Sequence, residues 1–127
     1  MQLLAQEFVL VVSKVCITTQ VEALQNIYLK KEKSIGSCQA IPLNIQADMP
    51  QRMFFMKEVI HVSPTQWNRY WDMMHFKGVQ PPHVVHSNQA MAAYIQKVSG
   101  ALGYLPRTFL EPSMQVLATF EMPKVSP

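Results

Sequence analysis

Four histidines, two cysteines, eight carboxylates and a run of aromatic residues are the side chains of this 127-residue sequence that could bind metal or move protons. His83-Val84-Val85-His86 places two imidazoles three residues apart. After Pro81-Pro82 the chain is expected to be extended, so the two rings point to opposite sides, and neither a cysteine nor a carboxylate lies close by to complete a tetrahedral site. His61, His75, His83 and His86 therefore read as surface or capping residues, with no metal expected. The acidic residues are dispersed, and neither a Gly-x-Ser-x-Gly elbow nor a Cys/His signature occurs, so neither catalysis nor a cofactor is expected. Trp67, Tyr70 and Trp71 fit either an aromatic ligand platform or helix packing, and their helical spacing favours packing. Cys16 and Cys38 fit either one disulfide in an oxidising compartment or two free, buried thiols. The thiol reading follows if Cys16 ends a first strand and Cys38 precedes a second one parallel to it. The two would then sit at opposite ends of a sheet, beyond the ~7 Å Cα separation that a disulfide tolerates.

One kind of ligand does suit the pattern. In open α/β sheets, strand ends meet helix N-termini, where unpaired amides and the helix dipole attract anions. Two turns qualify, from Ser13 to Thr19 and from Asp48 to Arg52, with Thr18, Thr19, Gln51 and Arg52 as suitable donors. The alternative is that Thr18 or Thr19 only caps its helix and that Arg52 is solvated.

The elements that would position these residues are readable from periodicity. Phe8-Val9-Leu10-Val11-Val12 is a continuous β-branched run, the pattern of a central strand buried on both faces in a parallel sheet. Thr19-Gln20-Val21-Glu22 is a capping box, and Val21, Leu24, Ile27 and Tyr28 recur at helical spacing, predicting a helix from about Gln20 to Leu29. Lys30-Lys31-Glu32-Lys33 is a solvated run before a turn at Ile35-Gly36-Ser37. Ala40 to Ile45 alternates as a strand, with Pro42 arguing for an edge position or a strand start. Asp48 and Pro50 open a helix whose buried face is Met53, Phe54, Met56, Val59 and Ile60. Ser63-Pro64-Thr65-Gln66 is the sharpest signal, a capping box with proline in the first turn. Ser87 caps a further helix, with Met91, Tyr94, Ile95 and Val98 on one face and Gly100 just past its end, and strands follow at 101–105 and 114–120. Pro81-Pro82 breaks both helix and sheet.

Hydrophobic residues form 49% of the chain and charged residues 15%, which excludes a disordered protein. The length suits a single domain, and no apolar run approaches the ~20 residues of a membrane span. Eleven basic and eight acidic residues leave +3, scattered rather than clustered, so nucleic acid is not an expected partner. The predicted order is β-α-β-α-α-α-β-β in one α/β domain over 8–120, helices packed on a mixed sheet, with 121–127 as a tail. Residues 1–7 fit the stump of a secretory signal ending at Ala5, or the start of the first strand.

Three stretches together resemble a family. Ala23-Leu24-Gln25-Asn26-Ile27-Tyr28-Leu29-Lys30 is similar to the "QL..IFLGK" helix of the phosphate-binding proteins of ABC transporters. Ser63 to Trp71, with Phe76-Lys77-Gly78 and Gln80-Pro81-Pro82, is similar to the "SP.Q...YW....F.G...PP" segment of a shorter branch of that family. Ala93-Tyr94-Ile95-Gln96 to Gly100-Ala101-Leu102-Gly103-Tyr104 resembles its "FV...PGAIGYV" element, so the likeness runs in order from Phe8 to Leu105. It implies one lobe of a type II periplasmic-binding-protein-like fold, export to the periplasm, and phosphate or a related oxyanion as ligand. The family's "R.DGSGT" phosphate loop aligns with Ala47-Asp48-Met49-Pro50-Gln51-Arg52, where only Asp48 is retained. Met49 and Gln51 replace glycines, and Pro50 removes an amide donor.

The expected ligand-binding set is thus Thr18, Thr19, Asp48, Gln51 and Arg52. The expected function is non-enzymatic: weak oxyanion binding for uptake or sensing, with a homodimer or a transporter protein supplying the second half of a cleft. The alternative is a module of the cell envelope on the same fold that has lost its ligand and contacts a protein partner.

Overall fold

The Phe8–Val12 run forms the centre of strand β1 (Leu4–Ser13), with all five side chains buried. The computed structural model describes residues 4–16 and 24–124, and the predicted Thr19–Glu22 capping box lies outside them. A helix α1 (Leu24–Tyr28) precedes a small hairpin of β2 (Ser34–Ile35) and β3 (Cys38–Gln39), turned at Gly36 with φ 55°. Next come β4 (Ile41–Ile45), α2 (Pro50–Phe55) running into a π-helical stretch Met56–Ile60, and α3 (Pro64–His75). The chain ends with β5 (His83–Val85), α4 (Asn88–Lys97), β6 (Ala101–Pro106), a 3-10 turn Arg107–Phe109 and β7 (Met114–Lys124).

The main sheet has the order β5-β4-β6-β1-β7. Strands β5, β4 and β6 are mutually parallel, whereas β1 runs antiparallel to both β6 and β7. The expectation of a parallel central β1 is corrected on both counts: β6 is central and β1 lies beside it. A continuous apolar run reports that both faces of a strand are covered, and it carries no information about the direction of the neighbours. The pairing also begins at Leu4, opposite Lys124, so Leu4–Glu7 and Glu121–Lys124 extend the β1–β7 ribbon beyond the predicted bounds. β5 was expected only as extended chain. Its three residues pair with Leu43–Ile45, adding a strand to the predicted order.

The direction of β1 overturns the expectation of two free thiols. Because β1 is antiparallel to β4, the end of β1 and the approach to β4 share one edge of the sheet. Cys16 and Cys38 meet there as a disulfide, Cα to Cα 5.3 Å. Behind them, Gly100 at φ 86° follows α4 so closely to the hairpin that a Cβ would collide with the Gln39 carbonyl. Only glycine satisfies both conditions.

Helices cover both faces of the sheet. Gly103 lies under Met91 and Ile95 of α4, and the next residue, Tyr104, faces the other way and stacks on Phe55 at 3.8 Å between ring centroids. Tyr28 of α1 meets Phe55 edge-on at 4.9 Å, placing α1 and α2 in one layer. Pro42 sits in β4 before the pairing with β5 begins at Leu43, so its missing N–H costs no bond on that side.

The helix signals divide in an instructive way. The Ser63 capping box forms as expected, the hydroxyl accepting from Gln66 N at 3.1 Å and the Gln66 side chain accepting from Ser63 N at 2.9 Å. Ser87 likewise caps α4 by accepting from Ala90 N at 3.0 Å. Asp48 is not the cap of α2. Met49 is, without a side-chain bond, and Pro50 at the first position takes over the initiating role. The buried face is Gln51, Phe55, Met56 and Ile60, while Met53 is 63% exposed. The wider π turn shifts the phase of the helix by one residue, which a 3.6-residue period cannot anticipate.

Candidate ligand-binding crevice

Strands β4 and β6 are hydrogen-bonded neighbours only at their beginnings. Their ladder ends at Pro42↔Leu102, after which β4 pairs only with β5, and β6 only with β1. This parting lies where the topology changes direction: β4 leads through α2 and α3 to the outer strand β5, and β6 leads toward β7 on the other side. In open α/β sheets, ligands bind outside the carboxyl ends of strands at such a point.

Three buried polar side chains fill the gap. Tyr28 Oη donates to the Leu43 carbonyl at 2.8 Å and approaches the Leu102 carbonyl at 3.5 Å, bridging the strands where they part. One turn of strand further on, Tyr104 Oη donates to Asn44 Oδ1. The Ile45 N–H, which has no ladder partner on β6, is shared between Asn44 Oδ1 at 3.1 Å and Tyr104 Oη at 3.4 Å. Asn44 completes its bonding through Nδ2 to the Met56 sulfur at 3.7 Å. Burial pushes both phenols well above their ordinary pKa; the hydrogen bond to Leu43 opposes this at Tyr28, and the Ile45 peptide and the Arg52 charge oppose it at Tyr104. Neither phenol ionises near neutral pH. They act as fixed dipoles.

Arg52 stands at the end of β4. Its Nη1 donates to the Ile45 carbonyl at 2.9 Å, so both polar groups flanking Ile45 are held by side chains. The guanidinium is half-buried and carries five donors. Among the described residues the one ion pair is Arg107–Glu7 at 3.0 Å, and no carboxylate neutralises Arg52.

The other expected site residues have different surroundings. Gln51 is buried, and its Nε2 donates to Asn88 Oδ1 at 3.0 Å, tying the start of α2 to the start of α4. Its side-chain donor is thereby committed to structure. Asp48 is exposed in the turn, one residue before the helix cap. Thr18 and Thr19 lie outside the described residues. The amide of Arg52 donates to the Met49 carbonyl at 3.0 Å and Pro50 has none, so the first turn of α2 offers an anion little beyond the Gln51 N–H.

Sequence reasoning missed Tyr28, Asn44 and Tyr104. A polar residue inside an otherwise apolar strand is a signal, since a buried amide demands partners. Asn44 and Tyr104 both carry it. The neighbouring Gln46 and His86, 3.0 Å apart through Oε1 and Nδ1, link the ends of β4 and β5. His83 lies 5.6 Å from the Tyr94 ring, and no group of three or more His, Cys, Asp or Glu gathers as a metal site among the described residues. The Trp67, Tyr70 and Trp71 rings pack on one another at 4.9–5.5 Å, and Tyr70 Oη donates to the Leu29 carbonyl at 2.6 Å, joining α3 to α1.

Comparison with known proteins adds the fold. The chain matches the crystal structure of an ABC-type phosphate transport receptor from Vibrio cholerae with a TM-score of 0.63 and 16% sequence identity, over 89% of this chain and 46% of the receptor. The chain thus spans about half the length of that receptor and shares its fold there. No family model and no curated protein matches the sequence. No helix among the described residues is long and apolar enough to cross a membrane.

Proposed function

We propose that this chain is a secreted, non-enzymatic binding domain that takes an oxyanion of the phosphate class at the carboxyl end of β4, serving uptake or sensing. The observation that carries this reading is Arg52, a half-buried guanidinium with one donor anchored to Ile45 and, among the described residues, no carboxylate within ion-pair distance, beyond the point where β4 and β6 part. A cation with no carboxylate partner among the described residues, at the carboxyl end of parallel strands, favours a negative ligand. Arg52 supplies the charge, the Gln51 N–H a backbone donor, and Asp48 an acceptor for a protonated oxygen; Cys16, just past the end of β1, lies at the opposite end of β4, so Thr18 and Thr19 are not part of this rim. The shared fold with a phosphate transport receptor supports the ligand class. The Cys16–Cys38 disulfide supports an oxidising, extracytoplasmic location.

A single open rim gives weak binding. Each charge–dipole contact contributes ~0.3–1 kcal/mol, against the ~8 kcal/mol of a micromolar complex. Tighter capture requires a second half of the cleft, from a homodimer or a transporter protein. Calorimetric titration with phosphate, sulfate as control, tests the reading: saturable heat that Arg52→Ala abolishes is expected, and no heat at millimolar phosphate refutes binding by the isolated chain.

A second reading has its own observation. Met73 and Phe76 at the end of α3 are 51% and 90% exposed, an apolar pair suited to contact with an envelope protein. On that reading the rim is unliganded and Arg52→Ala is silent.

A further inference from the structure

Cations that lie scattered in the sequence gather on one side of the fold. Lys31 follows the end of α1 with its Nζ 5.8 Å over the Tyr70 ring, and Tyr70 Oη is bonded to the Leu29 carbonyl, so the Lys30–Lys33 run is held against α3. Along α3 successive side chains turn by about 100°, and Phe76 continues the spiral with helical dihedrals. Arg69, Met73, Phe76 and Lys77 therefore share the side opposite the buried Trp67 and Trp71. With the three lysines of the run, this surface sets five cations against Glu32 and Asp72. The six basic and six acidic residues elsewhere in the sequence cancel, so this surface holds the whole net charge of +3. Among the described residues none of the five cations is in an ion pair. Glu32 Oε1 accepts instead from the Ser34 N–H and hydroxyl at 3.2 and 3.0 Å, within its own turn.

Met73 and Phe76 stand exposed among these cations. A protein partner held by apolar contact needs a continuous patch, since stable interfaces bury more than ~1,200 Å². Two apolar side chains bordered by unpaired cations suit a lipid surface better. Lysine and arginine stems place their charges at the headgroups, while a methionine and a phenylalanine reach into the acyl boundary beneath. We infer that this side of the molecule docks on an anionic lipid surface, with Phe76 and Met73 as the inserted residues and Lys31, Arg69 and Lys77 as headgroup contacts. The surface uses none of the rim residues, so it stands whether or not Arg52 takes an anion. It holds the domain at a membrane without a spanning helix.

Co-sedimentation of the whole chain with lipid vesicles is the test. Vesicles of phosphatidylcholine mixed with an equal part of phosphatidylglycerol should carry the chain down, vesicles of phosphatidylcholine alone should not, and raised salt should release it. Combining Met73→Ser with Phe76→Ser should weaken binding about tenfold, and so should Lys77→Glu alone. Lys97→Glu makes the same charge change on α4, across the sheet, and should leave binding unchanged, which separates this surface from net charge. All four side chains are exposed, so the circular dichroism of each variant should match wild type. No sedimentation with the anionic vesicles overturns the inference, as does wild-type binding by the Met73/Phe76 and Lys77 variants or an equal loss in Lys97→Glu. Binding to native membrane vesicles only, abolished by protease treatment, also overturns it and gives the surface to a protein partner. Phosphate calorimetry on the same variants keeps this inference apart from the anion site, because each of them retains Arg52.

Discussion

At the residue scale the molecule is organised around a few buried polar groups at the place where its sheet opens. Tyr28, Asn44 and Tyr104 satisfy backbone groups that β4 and β6 no longer offer each other, and burial holds both phenols neutral. A pH dependence follows. Folded-state phenol pKa values lie above the unfolded value near 10, so the stabilisation is complete below about pH 10 and falls as pH rises further, by up to ~1.4 kcal/mol per pH unit for each phenol. Of the absorbance of the four tyrosines, the part lost in the Tyr28→Phe and Tyr104→Phe variants should therefore appear together with the loss of circular dichroism at alkaline pH. Ionisation of Tyr28 and Tyr104 well before unfolding would contradict their burial. None of this network was legible beforehand: Asn44 and Tyr104 stood in the sequence as polar residues within strands, but their meeting depends on a register between segments sixty residues apart.

At the element scale, local signals succeeded where the interaction is itself local. The Ser63 capping box joins residues three apart and is read directly from their types, and removing it with Ser63→Ala should cost ~1 kcal/mol in urea unfolding without altering the fold. A variant as stable as wild type would show that the cap is redundant. The same reasoning made Asp48 the cap of α2, whereas Met49 holds that position and Pro50 suffices to start the helix; of the expected face, Met56 and Ile60 are buried and Phe54 and Val59 pack against the core, while Met53 is exposed and Gln51 and Phe55 are buried instead. Strand direction was invisible for a physical reason. The apolar run of β1 is equally compatible with parallel and antiparallel neighbours, and only the distant β6 and β7 decide between them.

That direction has a consequence for the whole molecule, since it brings Cys16 to Cys38 and closes a loop across 22 positions that includes α1. Reduction should lower stability by about 3 kcal/mol, the loop-entropy value for this separation, as a shift in the urea midpoint with dithiothreitol. An unchanged midpoint would mean that the hairpin is held by its packing alone. Of the expected site, the turn at Asp48–Arg52 does lie at a carboxyl strand end, yet Gln51 has its side-chain amide committed to Asn88, and no carboxylate among the described residues pairs with Arg52. The fold matches half of a phosphate transport receptor, and function must be argued from this rim rather than from that likeness. The most direct measurement is calorimetry of the purified chain and its Arg52→Ala variant with phosphate, beside a light-scattering mass. Saturable millimolar-range binding in wild type, lost in the variant, is the predicted result. The absence of heat in both, or equal binding in both, would contradict the assignment of Arg52 as the anion-binding group.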